Sequence, residues 1–383
     1  MELSVAKKDL LRLLSRLQGV ADRKNPQPVL SNVLFSPDGA NGLRISATDL
    51  YLSMSGRIPA EVTRSGNVAI PAKEIFERVK LMPDGPVLIS SNESASTTVK
   101  ASGSARRFTL RSLPGTDFPP LPTPAEGAPT LALDVAVLRE LIEKTHFSIS
   151  TDETRAHLNS ALFEWDGDIV RMVSTDGHRL SKVELKVTGR QASATMLIPL
   201  KAISELRRLC DDAGGESAKD ANAKDGEKPQ LQITQSGSSA FFSAPNMVFS
   251  VKLVEAQFPP YAQVIPKTND KTIRVPRAAF ADALKAVSIA SSERTGGVRL
   301  EIDSGVMRIT SESAETGNAF DEIPVEYTGS MVRIGVNSKY FLDILSALDE
   351  EEVLLLLSGE LDPCVLRPVG PREFLAVVMP MRI

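Results

Sequence analysis

One arrangement is written three times along this chain, and a repeat of that kind constrains the fold more than any single motif. "LSVAKKDLLRLLSRL" from Leu3, "LALDVAVLRELIEKTHF" from Leu131 and "IRVPRAAFADALKAVSI" from Ile273 each open on alternating apolar residues and pass into a helical stripe. The stripes are Leu10, Leu14 and Leu17, then Leu138, Leu141 and Ile142, then Phe280, Leu284 and Val287. Spacing of three or four residues buries one face of a helix. Downstream of each, "NVLFSPDGANGLRISATDLYLSM", "SALFEWDGDIVRMVSTDGHRLSKVEL" and "GVRLEIDSGVMRITSESAETGNAFDEI" alternate by twos around glycine-bearing turns. These predict hairpins.

The same grammar runs again inside each repeat. "VAIPAKEIFERVKLM", "MLIPLKAISELRRLC" and "VRIGVNSKYFLDILSAL" are again strand followed by amphipathic helix. The closing segments correspond too: "RRFTLRSLPGTDFPPLP", "MVFSVKLVEAQFPPYAQVIP" and the chain's apolar ending, "REFLAVVMPMRI". The expected fold is therefore α+β, three repeated domains over residues 1–125, 126–267 and 268–383, each built of two pseudo-symmetric halves. Proline-bearing polar stretches, Pro119 to Pro129 and Ile265 to Asp270, separate them. The middle repeat is the longest. Its surplus falls on "GGESAKDANAKDGEK", Gly214 to Lys228, which has no periodicity and reads as a surface loop.

A chain of 383 residues exceeds one ordinary core, and 42% hydrophobic with 24% charged residues is a globular balance. The charged N-terminal stretch lacks the apolar block and cleavage site of a signal peptide, and no run approaches the roughly 18 apolar residues of a membrane span. The two cysteines, Cys210 and Cys364, match no metal spacing and suit a reducing compartment. A cytoplasmic protein without membrane contact is expected.

The formal net charge is −4, yet the helices run against it. The first carries Lys7, Lys8, Arg12 and Arg16 against Asp9; the helix from Lys201 carries Lys201, Arg207 and Arg208 against Glu205; that from Lys73 adds Lys73, Arg78 and Lys80. Charge on an amphipathic helix is ordinarily just solvated. Its recurrence on equivalent helices points instead to a localised surface for phosphates.

Catalytic constellations are thin. "STDGHRL" offers Ser174, Asp176 and His178 as a hydrolase triad, but neighbours in an extended chain alternate faces and Asp-Gly is first a turn signal. The three histidines, His146, His157 and His178, show no metal-ligand spacing, and no phosphate-binding glycine loop is present. No metal, no cofactor and no enzymatic activity are expected. The rival readings are that hydrolase and a repeat scaffold that binds proteins only.

Four motifs in order, "LPGTDFPPL", "TDGHRL", "FPPYAQVIP" and "VVMPMRI", resemble the bacterial DNA polymerase III β subunit family, the sliding clamps. The likeness runs the length of the chain. It implies a homodimeric ring, helices inside and sheets outside, that encircles duplex DNA without sequence specificity. Such a ring is the processivity factor of the replicative polymerase in DNA replication. It also implies a separate clamp-loader ATPase, and replication and repair partners that dock short peptide motifs.

The resemblance assigns residues as well. To the peptide cleft it gives Leu158, Thr175, Gly177, His178, Arg179, Leu180, Pro259 and Val264. From the last repeat it adds Asn337, Tyr340, Val353, Val377, Met379, Pro380, Met381 and Arg382. After the tyrosine of the "FPPY" motif, where family members often carry basic residues, this chain has Ala262 and Gln263. DNA contact falls to Arg23, Lys24 and Arg155, joined by the helix cations Lys73, Lys201 and Arg207. The subunit seam pairs Phe108 and Leu110 with Val287, Ile289 and Ala290.

Overall fold

The computed structural model describes all residues except 23–24, 93–94, 188–191, 218–228, 292–295, 314–316 and 383. Each repeat realises its pattern. The first comprises β1 (Glu2–Ala6), α1 (Lys7–Leu17), β2 (Asn32–Pro37), β3 (Gly42–Thr48) and β4 (Leu52–Arg64). Its second half follows as β5 (Val68–Pro71), α2 (Ala72–Lys80), β6 (Pro86–Ser91), β7 (Ser96–Ala101), β8 (Arg107–Arg111) and the short β9 (Leu113–Pro114).

The middle repeat runs β10 (Thr130–Asp134), α3 (Val135–Glu143), β11 (Ser160–Gly167), β12 (Ile169–Thr175) and β13 (Arg179–Lys186). It continues with β14 (Ala192–Pro199), α4 (Leu200–Ser217), β15 (Gln230–Ser236), β16 (Ser239–Ala244) and β17 (Met247–Lys252). The last repeat runs β18 (Lys271–Pro276), α5 (Arg277–Ser288), β19 (Gly297–Asp303), β20 (Val306–Ser313) and β21 (Gly317–Pro324). It ends with β22 (Val332–Asn337), α6 (Ser338–Ala347), β23 (Glu352–Leu357), β24 (Cys364–Pro368) and β25 (Glu373–Val378).

The helical stripes are buried as their spacing requires: Leu10, Leu14, Leu17, Leu138, Leu141, Ile142, Phe280, Leu284 and Val287 all lie in the core. Within the last repeat, α5 and α6 meet through Phe280 and Phe341, rings edge to face at 5.8 Å. One boundary differs from expectation. Gly214 to Ser217 are helical, the end of α4, and not part of a loop. A helix already formed gains one hydrogen bond for each residue added, which offsets the poor propensity of two glycines. The rest of that stretch, 218–228, lies outside the described residues.

Contacts divide the chain into two compact units: Met1–Val135 with Arg208–Leu253, and Ala136–Arg207 with Val254–Ile383. The division cuts through the middle repeat because strand pairing does. In the first unit the sheet order is β10-β15-β16-β17-β4-β1-β6-β7-β8, so β17 pairs with β4 of the first repeat. In the second it is β14-β11-β12-β13-β25-β24-β23-β18, so β25 pairs with β13 of the middle repeat. A smaller sheet, β21-β20-β19-β22, completes that unit. The last strand of a repeat thus adds to the strand of the preceding repeat that follows its hairpin. Two strands lack this neighbour among the described residues: β8 pairs only with β7, and β21 only with β20.

Candidate functional site

The turn between β12 and β13 forms one wall of an apolar groove in the second unit. Its residues, "TDG", are chosen by hydrogen bonding. Thr175 Oγ1 donates to the Arg179 carbonyl at 2.6 Å and accepts from Gly177 N at 3.1 Å. Asp176 Oδ1 accepts from His178 N and Arg179 N at 2.9 and 3.0 Å. Gly177 has φ +93°, a left-handed conformation that glycine adopts at no steric cost. Short polar side chains therefore replace the ladder exactly where the strands separate.

This wiring removes the hydrolase reading. Ser174 is fully buried and its Oγ donates to the Thr145 carbonyl at 2.5 Å. Asp176 is engaged by its own turn and by Arg179 Nε at 3.1 Å, so neither residue is disposed to activate His178.

The groove has a volume of about 190 Å³. Thr175, Gly177, His178, Arg179 and Leu180 line it from the turn, and His157 and Leu158 from the segment before β11. Pro259, Tyr261 and Val264 come from the "FPPYAQV" stretch, Val377 and Met379 from the chain's end. Under it, Leu180 and Val377 pack with Leu162, Val173, Leu197, Phe258 and Val365. Leu180 and Val377 are also register partners between β13 and β25, so the strand ladder runs through the floor. Beyond the ladder, Met379 N donates to the His178 carbonyl at 2.9 Å and Met381 N to the Gly335 carbonyl at 2.7 Å. Met379 is 38% exposed. The apolar ending is thus held by its backbone while its thioether stays open.

Some expected cleft residues do not line this groove. Val353 is fully buried: β23 alternates inward and outward, and Val353 shares its inward face with Leu355 and Leu357. Asn337 accepts from Lys339 N at 2.9 Å and caps α6. Tyr340 lies under the Arg179 guanidinium, 4.5 Å from its carbon. Burial raises its hydroxyl pKa, helped by the Asp176 carboxylate. Pro380 and Met381 are half-buried and Arg382 exposed, just past the groove's lining. Conversely, Tyr261 and His157 do line it. The signal for Tyr261 was its place between Pro259 and Val264; its ring meets Phe258 edge to face at 6.3 Å and its hydroxyl donates to Glu164 at 3.2 Å.

The chain of three strand-helix repeats that carries this groove has counterparts among known proteins. Residues 1–122, 132–260 and 262–382 match the N-terminal, central and C-terminal domains of the DNA polymerase III beta subunit. The chain belongs to the DNA polymerase III beta subunit family. The beta sliding clamp of Pseudomonas putida is 33% identical over 385 residues, covering all of both chains. The crystal structure of the Pseudomonas aeruginosa DNA polymerase III subunit beta is 31% identical with TM-score 0.90, again over all of both chains. A second Pseudomonas aeruginosa sliding-clamp structure, bound to griselimycin, is 30% identical with TM-score 0.90 and the same coverage.

In this beta subunit family member the expected DNA contacts are distributed over several elements. Arg23 and Lys24 lie outside the described residues. Lys73 is exposed on α2, 3.8 Å from Glu77, and Arg155 is exposed and pairs with Asp152 at 2.9 Å. Lys201 and Arg207 are exposed on α4. Arg207 Nη1 lies 3.0 Å from His146 Nε2, while His146 Nδ1 faces the Ile142 carbonyl at 3.0 Å. The carbonyl takes the ring's proton, so Nε2 is the acceptor for Arg207. Burial lowers the His146 pKa and the Arg207 charge lowers it further, both favouring the neutral ring.

The seam residues divide differently from expectation. Val287 is an inward position of α5, and Leu110 and Ala290 are buried as well, so these three serve the chain's own core. Phe108 is half-buried on β8, and Ile289 is 81% exposed at the end of α5. Phe320, outside the expected seam, is 61% exposed on β21. A lone aromatic in the polar strand "GNAFDEI" was the available signal. Among the described residues no group of three or more His, Cys, Asp or Glu could hold a metal, and no helix is long and apolar enough to cross a membrane.

Proposed function

We propose that this chain is a sliding clamp, the processivity factor that tethers a replicative DNA polymerase to duplex DNA, acting as a non-catalytic homodimeric ring in the cytoplasm. The strand pairing carries the reading. Because β17 completes β4 and β25 completes β13, the open β8 of one copy is the strand that would complete the open β21 of another. The relation is head to tail, and two copies satisfy it twice, closing a ring of six half-domain-paired repeats. Charge supports the pairing: β8 carries Arg107 and Arg111, β21 Asp321 and Glu322. Phe108, Ile289 and Phe320 supply its apolar part.

The three domains of this reading span 1–125, 126–267 and 268–383, and helix cations including Lys73, Lys201 and Arg207, with Arg23, Lys24 and Arg155, face the DNA. Contact through phosphates alone is sequence-independent and salt-sensitive, which permits sliding. The groove takes extended peptides with apolar anchors from polymerase, loader ATPase and repair proteins. Griselimycin, which the Pseudomonas aeruginosa relative binds, is the ligand proposed for this groove.

Retention on DNA tests the ring. Protein loaded on nicked circular DNA stays bound through gel filtration and is lost once the circle is linearised. Equal loss from both forms would mean that it does not encircle DNA.

A further inference from the structure

Arg179 is charged yet only 8% exposed, and its guanidinium is held on every side. Nε donates to Asp176 Oδ2 at 3.1 Å, Nη1 to Asp343 Oδ2 at 2.6 Å, and Nη2 to the Phe147 carbonyl. The rings of Tyr340 and Phe147 flank it, 4.5 and 5.6 Å from its carbon. Of the two carboxylates, Asp176 belongs to the turn itself and already accepts two of its amides. Asp343 comes from α6, in the last repeat, and lines no part of the groove.

The turn needs such an external hold. The β13–β25 ladder ends at Arg179 paired with Val378, so Gly177 and His178 project beyond it. Their placement against Met379 rests on the single bond from Met379 N to the His178 carbonyl and on what fixes Arg179. We propose that Asp343 is a positioning residue for the groove: through Arg179 it sets the Thr175–Leu180 turn against Met379, and so sets the affinity of peptide ligands it never touches. The proposal rests on the groove being the ligand site. Its physical basis is that a buried guanidinium deprived of one carboxylate is poorly compensated and pulls its backbone toward water. A wall that must be re-formed on binding weakens the ligand.

The test uses the full chain with D343N and D343E, read by griselimycin calorimetry, thermal unfolding, and amide exchange of the peptides covering 175–180 and 338–347. For D343N we expect griselimycin affinity about tenfold weaker. Exchange should be faster in 175–180 and the unfolding midpoint somewhat lower, while exchange in 338–347 stays near wild type. D343E, which keeps the charge, should restore most of both. Unchanged exchange in 175–180 with unchanged affinity overturns the proposal. So does faster exchange confined to 338–347 with a lowered midpoint, which would make Asp343 only a helix residue. Should D343N fail to fold, D343A takes its place in the same measurements, with faster exchange expected in 175–180 and not in α6, and D343E still expected to stay near wild type. If the wild type itself fails to bind griselimycin, the groove assignment falls, whereas the exchange comparison still judges the positioning.

Discussion

Lys144 Nζ stands 3.0 Å from Asp349 Oδ2, although the lysine is 3% exposed and the aspartate lies open to water. The same ammonium bonds the carbonyl of Ala347, the last residue of α6, where a cation complements the helix's negative end. Arg372 reaches Glu140 of α3 at 2.8 Å, Glu350 at 2.7 Å and Asp349 at 3.5 Å. These charges join the start of the middle repeat to the end of the last.

Lys144→Met should therefore lower stability by about 1–3 kcal/mol, since it leaves a helix-end carbonyl without its donor. The effect depends on pH with a definite sign. The Lys144 hydrogen bond, and then its charge with that of Arg372, holds the Asp349 pKa below the usual range. A depressed carboxylate pKa contributes stability that is present above the unfolded value, near 3.9, and lost as pH falls through the folded one. The gap between wild type and Lys144→Met in urea unfolding should shrink below about pH 4. A gap independent of pH would mean that Asp349 contributes nothing to it.

Cys210 and Cys364 are both fully buried, and burial pushes the Cys364 thiol up to about 12. Because the thiolate is the reactive species, neither should react with Ellman's reagent at neutral pH in the native protein. Two equivalents should be released in denaturant. Prompt native labelling would show that the β24–β25 or α4 packing opens readily.

Phe108→Asp places a carboxylate on β8 where the proposed seam is apolar, at a cost of several kcal/mol to association. Light scattering should give folded monomers that leave circular DNA. Unfolded protein would make Phe108 internal core, and an intact dimer would remove β8 from the seam.

The elements were legible because burial imposes a period. Leu10, Leu14 and Leu17 or Ile273 and Val275 announce themselves by spacing alone, and a threefold repeat lets each copy check the others. The groove was legible in part. Thr175, Asp176 and Gly177 encode a local turn, so the sequence carries their geometry. Asp343 was not legible, because its meaning lies in a contact to Arg179 made 164 residues away. Val353 and Val287 lie on the inward phase of their own strand and helix, a signal the sequence already carries, whereas the roles given them come from likeness alone. The head-to-tail logic of β8 and β21 needed pairing partners, which periodicity does not name.

The first repeat contains a copy of the groove's turn that tells how much the turn will tolerate. In "ATDLYL", Thr48 Oγ1 donates to the Leu52 carbonyl at 2.9 Å and accepts from Leu50 N at 3.0 Å, while Asp49 Oδ1 accepts from Tyr51 N and Leu52 N. Leu50 takes the place of Gly177 and holds φ +77°. A leucine can therefore occupy this position in a turn with the same hydrogen bonds, at a strain of roughly 1–2 kcal/mol. At Gly177 a Cβ would meet only Arg155 Nη1, at 3.8 Å, so the backbone leaves room for it. The longer side chain would then stand in the groove that Gly177 lines. Gly177→Leu should fold, dimerise and remain on circular DNA, yet bind griselimycin at least tenfold more weakly and fail to support processive synthesis. Wild-type affinity in the folded variant would place the ligand elsewhere than against this turn.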